Sequence, residues 1–174
     1  MKSALAILTF SAVALLATAM DDDLPNLQSP RFEVYTSGQP TEEGFQKLAA
    51  MGVKSVINVL PEKECLSGED KRVRNRKMAY HTFPFEPIMI NLKTVQKFGE
   101  LLQNQKKPVL IHCSTGNHVG GMWFAYRVLV ERAPLAVALK EARAIGLKPQ
   151  MEDAIFNWVV NEDENLGVTT IISF

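Results

Sequence analysis

The spacing of apolar positions along the chain predicts strands alternating with helices. Two apolar runs, at 53–60 and 107–112, are rich in Val, Ile and Leu and short enough to be strands buried on both faces. Apolar residues at helical spacing precede the first run at 45–51, with Thr41 placed as N-cap, and separate the two runs at 92–102. The pattern therefore indicates strand–helix–strand units.

The same spacing predicts the remaining elements. Further strands are expected at 32–35 and 79–85 and further helices at 69–78, 122–132, 135–145 and 151–160. Alternation at this spacing indicates an α/β fold, with a central, largely parallel sheet flanked by helices on both faces. The tail from Asn161 is acidic and then apolar, and fits either an extra strand or a docked terminus.

The N-terminus carries the features of an export signal. Lys2 is followed by an uncharged stretch at 4–16, and Ala17-Thr18-Ala19 has the small-x-small pattern that signal peptidase cleaves. We expect a signal peptide at 1–19, a polar N-terminal arm at 20–31 and a single domain at 32–174. The mature protein would be periplasmic or secreted and free of the membrane. The alternative is an uncleaved anchor, for which the apolar run is at the short end.

Charge and cysteine content narrow the functional classes. The chain has 19 basic and 19 acidic residues, a balance that argues against a general nucleic-acid binder. Its two cysteines, Cys65 and Cys113, would by default form one structural disulfide in an oxidising compartment. The sequence leaves the oligomeric state open.

Candidate chemistry is concentrated in the segment after the 107–112 strand. His112-Cys113-Ser114-Thr115-Gly116-Asn117-His118-Val119 suits a strand, a tight polar loop and a helix start. Backbone N–H groups of such a loop can surround one anion, and the positive end of the helix favours a thiolate at Cys113. The alternative is that Cys113 is a small buried apolar residue and His112 a packed core histidine.

Three motifs in order give a family resemblance. The loop His112–Asn117 resembles the signature of the cysteine-dependent tyrosine and dual-specificity phosphatases. Ser37-Gly38-Gln39-Pro40-Thr41 and the run 56–62 resemble a narrower group, the phosphatase-like domain of beta-lactamase hydrolase-like proteins. The resemblance implies that Cys113 attacks phosphorus, that the amides of 114–119 bind the phosphoryl oxygens, and that no metal or cofactor is needed. The implied substrate is a phosphate-bearing small molecule or a phosphoprotein.

The loop departs from this family at one position. The family places an arginine six residues after the cysteine, or five in the narrower group, where this chain has Val119 and His118. Imidazole cannot replace the planar fork of donors that arginine offers. We therefore expect weak phosphatase activity, partly recovered when His118 is protonated below pH ~6.5.

Other titratable residues are candidates with an ordinary alternative. Glu86, on the loop after the 79–85 strand, is the candidate general acid or else a solvated carboxylate. Glu62 and Glu64 are poorer candidates, and His81 is expected to be packed within its strand. The basic run at 71–77 either steers an anion toward the site or forms a solvated helix face.

Three further hypotheses remain open. Cys65 comes after a strand that we expect to be parallel to the Cys113 strand, so a reversible disulfide between the two cysteines would switch the nucleophile off. The loop also suits sulfur transfer through a Cys113 persulfide formed from a sulfane-sulfur small molecule. A non-catalytic protein that binds an anion or a partner through the same loop is the third candidate.

Overall fold

The computed structural model describes residues 21–167, which form five strands and six α-helices. The strands are β1 Gln28–Arg31, β2 Val34–Ser37, β3 Ser55–Asn58, β4 Ala79–Thr82 and β5 Val109–His112. The helices are α1 Glu42–Ala50, α2 Glu69–Asn75, α3 Leu92–Gln103, α4 Asn117–Leu129, α5 Leu135–Ile145 and α6 Pro149–Asn165. The alternation predicted from the sequence is confirmed.

The strands form one mixed, mostly parallel sheet in the order β1-β2-β5-β3-β4. β5 lies at the centre, parallel to both β2 and β3, and β4 is parallel to β3. The edge strand β1 is antiparallel to β2 because a tight turn at Glu33, with φ 59°, joins them. Since every residue of β3 and β5 is buried, the sheet has the two covered faces that the sequence predicted.

Two apolar clusters fill the space between the sheet and the helices. One cluster joins Phe98 of α3 and Trp123 of α4 to the sheet residues Ile57 and Ile111. The other joins the helices α1 and α2 to the opposite face, where Val56 and Leu110 are buried. The apolar side chains of β3 and β5 alternate between the two clusters, which fixes the strand register.

The main differences from the predicted elements are the end of α6, which continues to Asn165 through the first residues of the predicted tail, and the start of α4. The helix begins at Asn117 and not at 122, so Gly120 and Gly121 lie inside it. A Cβ atom on Gly120 would lie 2.9 Å from the Ala142 carbonyl oxygen of α5. These glycines therefore allow close helix packing, and do not form the turn that their sequence suggests.

The chain termini are only partly covered by the structure. Residues 21–31, predicted as an arm, bury Leu24 in the second cluster and contribute strand β1. The predicted signal peptide at 1–19 and the apolar residues 168–174 lie outside the described residues. Among the helices of 21–167, none has the length and apolar character to cross a membrane.

Candidate active site

Cys113 lies where the central strand ends and the loop at residues 113–118 begins, which we call the catalytic loop because it resembles the phosphatase signature. β5 ends at His112, between two parallel neighbours, and Cys113 is fully buried. The backbone N–H of Gly116 donates to the Cys113 sulfur over 3.1 Å. The sulfur is shielded from water within the first apolar cluster, and it accepts from one loop amide.

Gly116 is required at the turn between the loop and α4. Its φ of +90° lies in the left-handed region, and a Cβ atom there would be 2.2 Å from the Ile145 carbonyl oxygen. The Asn26 side chain donates to that same carbonyl. The loop thus rests on the C-terminal end of α5 and on the N-terminal arm, with no space for a side chain between them.

Two hydrogen bonds fix the catalytic loop from its other sides. The Gln39 N–H donates to the Ser114 carbonyl over 3.0 Å, and the Asn117 side-chain oxygen accepts from the Lys148 N–H over 2.8 Å. Ser114 and Thr115, between these two contacts, are exposed. The loop is thus held through the Ser114 carbonyl at one point and through the Asn117 side chain at the other.

A buried polar network lies beneath Cys113. His112 Nε2 is 3.2 Å from Glu69 Oε1, and both side chains are almost completely buried. Glu69 also accepts from Gln39 over 2.6 Å, and from Asn58 and Tyr80 over 2.8 Å each. His112 is thus a core histidine with a charged contact, which places it beside the nucleophile and keeps it from substrate.

The surroundings of Glu69 keep it ionised despite burial. Burial alone would raise the pKa of the carboxyl group, but His112, Tyr80 and Gln39 together lower the pKa to about 2. A carboxylate with three donors and a facing imidazole compensates for its lost hydration. The network therefore holds one negative charge under the loop across the physiological pH range.

His118 cannot act as the missing arginine at neutral pH. Burial lowers the pKa of its imidazole, and the nearby carboxylates Glu64 and Glu86 only partly oppose that shift. Its ring packs edge-on against Phe85 at 6.2 Å, and the buried Nδ1 has no hydrogen-bond partner in the described chain. Protonation therefore requires a lower pH than the value of ~6.5 expected from the sequence.

The second arginine-equivalent position is apolar. Val119 is 1% exposed and belongs to the apolar core. A buried apolar side chain offers no hydrogen-bond donor to a ligand of the loop. The site therefore has no cationic side chain at either position where the resemblance implies one.

Glu86 lies near the site, but among the described residues it forms no hydrogen bond with Cys113. It directly precedes a 3-10 turn at Pro87–Met89, and its carboxylate lies 3.9 Å from Lys63 Nζ. Glu86 and Glu64 both act electrostatically on His118, so their loops approach the catalytic loop. Glu62 is exposed on the same segment as Glu64. Glu86 stays the candidate acid on the basis of its electrostatic effect on His118.

Cys65 and Cys113 are both free thiols in the structure. Burial raises the pKa of the Cys65 thiol, and the carboxylates of Glu69, Glu62 and Glu64 raise it further. Cys65 is therefore a slow partner for thiol exchange at neutral pH. The reversible disulfide stays a prediction.

The basic run at 71–77 divides into two parts. Arg72 and Arg76 both pair with Glu42, so their charge is neutralised locally. Arg74 and Lys77 line a groove where β3 and β4 begin, at the edge of the sheet opposite Cys113. His81, expected to be packed, is half-buried and lines the same groove. Arg74 and Lys77 therefore provide no steering charge beside the catalytic loop.

The network beneath the nucleophile was not predicted from the sequence. By its position, Glu69 looks like the polar start of a helix, and Tyr80 like an ordinary strand residue. Gln39 and Asn58 lie within the two motifs that carry the narrower family resemblance, and this was the available signal. Among residues 21–167, no group of three or more His, Cys, Asp or Glu side chains is arranged to hold a metal ion.

Comparison with known proteins places this geometry in context. Residues 3–156 match the family model described as "DSP-PTPase phosphatase fused to NAD+ Kinase". The chain is 29% identical over 85 residues to the beta-lactamase hydrolase-like protein of Xylella fastidiosa, covering 46% of this chain and 20% of that protein. It is 26% identical over 139 residues to the inositol diphosphatase DSP5 of Arabidopsis thaliana, covering 76% of this chain and 68% of that protein.

A solved structure gives the same fold. The P. aeruginosa protein TpbA, determined in complex with pTyr, superimposes with a TM-score of 0.63 at 22% identity. The superposition covers 82% of this chain and 90% of that chain. At this identity the likeness establishes the dual-specificity and tyrosine phosphatase type of fold.

Proposed function

Because the chain belongs to the family of the DSP-PTPase phosphatase domain fused to NAD+ kinase, we propose that it is an exported, weakly active cysteine-dependent phosphatase. The observation that carries the proposal is the hydrogen bond from the Gly116 N–H to the Cys113 sulfur. It aims a loop amide at the atom that must carry negative charge. The substrate class is a phosphate monoester, on a small molecule or on a protein.

The first chemical step depends on the position of the sulfur. The Cys113 thiolate attacks phosphorus, the bond from phosphorus to the leaving oxygen breaks, and a thiophosphoryl intermediate forms. Loop amides bind the equatorial oxygens, helped by the positive end of α4. Glu86, when protonated, supplies the proton to the leaving oxygen, and water then hydrolyses the intermediate.

The low rate is a consequence of the residues five and six positions after Cys113. His118 is neutral at pH 7 because burial lowers its pKa, and Val119 is buried in the core. Loss of one fixed donor to a transition-state charge costs about 100-fold or more in rate. Acidification strengthens anion binding only once the pH falls below the lowered pKa of His118.

A single-turnover assay with p-nitrophenyl phosphate tests the proposal. We expect slow release from the native protein, none from Cys113→Ser, and a gain of about 100-fold in His118→Arg because the fork of donors is restored. Gln96→Arg, which adds the same charge on the exposed side of α3, is the matched control and should leave the rate unchanged.

Two outcomes would contradict this assignment. Equal release from the native protein and Cys113→Ser would remove Cys113 as nucleophile. Phosphate binding that persists in all variants, with no release even in His118→Arg, would instead identify a non-catalytic anion-binding protein.

The uncharged His118 also favours a second candidate, sulfur transfer. The Cys113 thiolate would attack the outer sulfur of thiosulfate, the sulfur–sulfur bond would break, and sulfite would leave a Cys113 persulfide. The transferred sulfur carries less charge than a phosphoryl group, so a site without a cationic clamp tolerates it better. Mass spectrometry after thiosulfate treatment should show persulfidation, about 32 Da added at Cys113. An unmodified Cys113 would reject this candidate.

Export is a separate part of the proposal, supported by the Ala17-Thr18-Ala19 pattern. Expression of the full chain in a Gram-negative host should yield periplasmic protein whose N-terminal sequence begins near Met20. Removal of 2–19 should leave the protein in the cytoplasm. An intact Met1 on the native protein would reject the predicted cleavage.

A further inference from the structure

A basic groove of about 660 Å³ opens at the edge of the sheet opposite Cys113. It lies where β3 and β4 begin, and the chain before β5 contributes its third side. None of its lining residues is acidic. The cationic side chains that define this basic groove are Lys54, Arg74, Lys77 and Lys106.

Within the part of the chain that the structure describes, these four cations lack the carboxylate partner that most of the arginines have. Arg31, Arg127 and Arg143, for example, each pair with a glutamate. Within residues 21–167, none of the four side chains of the basic groove forms an ion pair. Arg74 donates only to the Tyr80 carbonyl over 3.1 Å among the hydrogen bonds described. Four uncompensated charges around one concavity create a positive potential that a bound anion would neutralise.

A second observation points to a ligand at the same place. Ser55 lines the basic groove, and its hydroxyl group is buried without a hydrogen-bond partner in the described residues. Buried polar groups are nearly always satisfied, so an orphaned hydroxyl indicates a partner supplied from outside. The backbone N–H groups nearby are already used, since Lys54 donates to Pro108 and Ala79 donates to Lys54.

From these two observations we infer that the basic groove binds a small polyanion carrying several phosphate groups. The volume lies within the range of about 300–1,000 Å³ typical of small-molecule sites. Lysines are flexible point charges and do not form a fixed fork, so they suit a ligand with distributed charge better than a single phosphate. The amide side chains of Asn104 and Gln105 add donors on the same wall. This site is distinct from the catalytic loop, because the parallel strand β3 lies between them.

Titration of the full-length protein with tripolyphosphate tests the inference. Isothermal calorimetry at low ionic strength should show binding that weakens steeply as salt is added, since exposed charges are screened. Lys54→Gln/Lys106→Gln should weaken affinity at least ten-fold. The matched control Lys97→Gln/Lys140→Gln removes two exposed charges elsewhere and should weaken it less than two-fold.

Amide chemical shifts locate the ligand independently of the variants. We expect tripolyphosphate to shift the N–H signals of Ser55 and of 104–106, and Ser55→Ala to bind several-fold more weakly. Shifts confined to 114–118 would place the anion in the catalytic loop and overturn the inference. Equal weakening in the two lysine double variants would show general charge attraction, and would overturn it as well.

Discussion

The carboxyl and amino ends of the parallel strands, here called the carboxyl edge and the amino edge of the sheet, suit negative charge in opposite ways. At the carboxyl edge, Cys113 faces a main-chain amide, the supporting side chains are buried, and no cation lies in the loop. At the amino edge, the basic groove presents four cations on exposed side chains with little fixed geometry. The first edge is organised before a ligand arrives, whereas the second is charged and adaptable. Fixed geometry and concentrated positive charge are thus separated in this molecule.

The largest effect is expected from substituting Gly116, which supports the loop at the carboxyl edge. Gly116→Ala should destabilise the fold by about 3 kcal/mol, because it adds left-handed strain and a clash with the Ile145 carbonyl. Gly52→Ala is the matched control: its φ is +84°, but nothing lies within 4 Å, so about 1 kcal/mol is expected. Urea unfolding measures both. Equal losses would show that the catalytic loop is not tightly supported.

Removing the buried charge under Cys113 should have the next largest effect. Glu69→Ala leaves His112 facing an empty space and strands the donors of Asn58 and Tyr80, at a cost of about 3 kcal/mol. The neighbouring Asp70→Ala removes an exposed carboxylate from the same first turn of α2 and should cost less than about 1 kcal/mol. A cost for Glu69→Ala no greater than that control would mean that the network contributes little.

The free energy of unfolding should depend on pH through the titration of Glu69. The pKa of Glu69 is lowered to about 2 in the folded protein, so its contribution is complete above the unfolded value of ~4.3 and is lost as the pH falls toward 2. The stability difference between the native protein and Glu69→Gln should therefore shrink across that acid window. A difference that stays constant between pH 5 and pH 2.5 would contradict the lowered pKa.

The smallest effect is expected at the amino edge. Lys54→Gln/Lys106→Gln removes exposed charges that hold no structural partner, so stability should change by less than about 0.5 kcal/mol. Thermal or urea unfolding without added anion provides the measurement. A larger loss would show that the basic groove is part of the scaffold, and the contrast between the two edges would fail.

The layered fold could be predicted from the sequence because buried strands leave continuous apolar runs. The central strand β5 and helix α5 were predicted within two residues, since their apolar spacing has few alternatives. The predicted start of α4 was wrong because Gly120 and Gly121 resemble turn residues, and only the contacts with neighbouring helices explain them. The local sequence pattern cannot reveal contacts between residues that are distant along the chain.

For the same reason, the loop of Cys113 could be predicted from the sequence, whereas the buried network around Glu69 could not. Cys113 and its loop are contiguous, so a short motif contains them. The network of Glu69 with His112 joins residues 43 positions apart, and a glutamate that opens a polar helix looks like any solvated carboxylate. The pKa of His118 is likewise lowered by burial, which its neighbours in sequence do not reveal.

The bond from Asn26 to the Ile145 carbonyl spans 119 residues and closes the support behind Gly116. A chain emerging from the ribosome therefore contains Cys113 before it contains Ile145, whose carbonyl group supports the turn at Gly116. Contacts of such long sequence separation form late in folding. We therefore expect the thiol to gain its amide environment only after Asn26 and Ile145 have met, and a chain truncated before Ile145 to carry an ordinary cysteine.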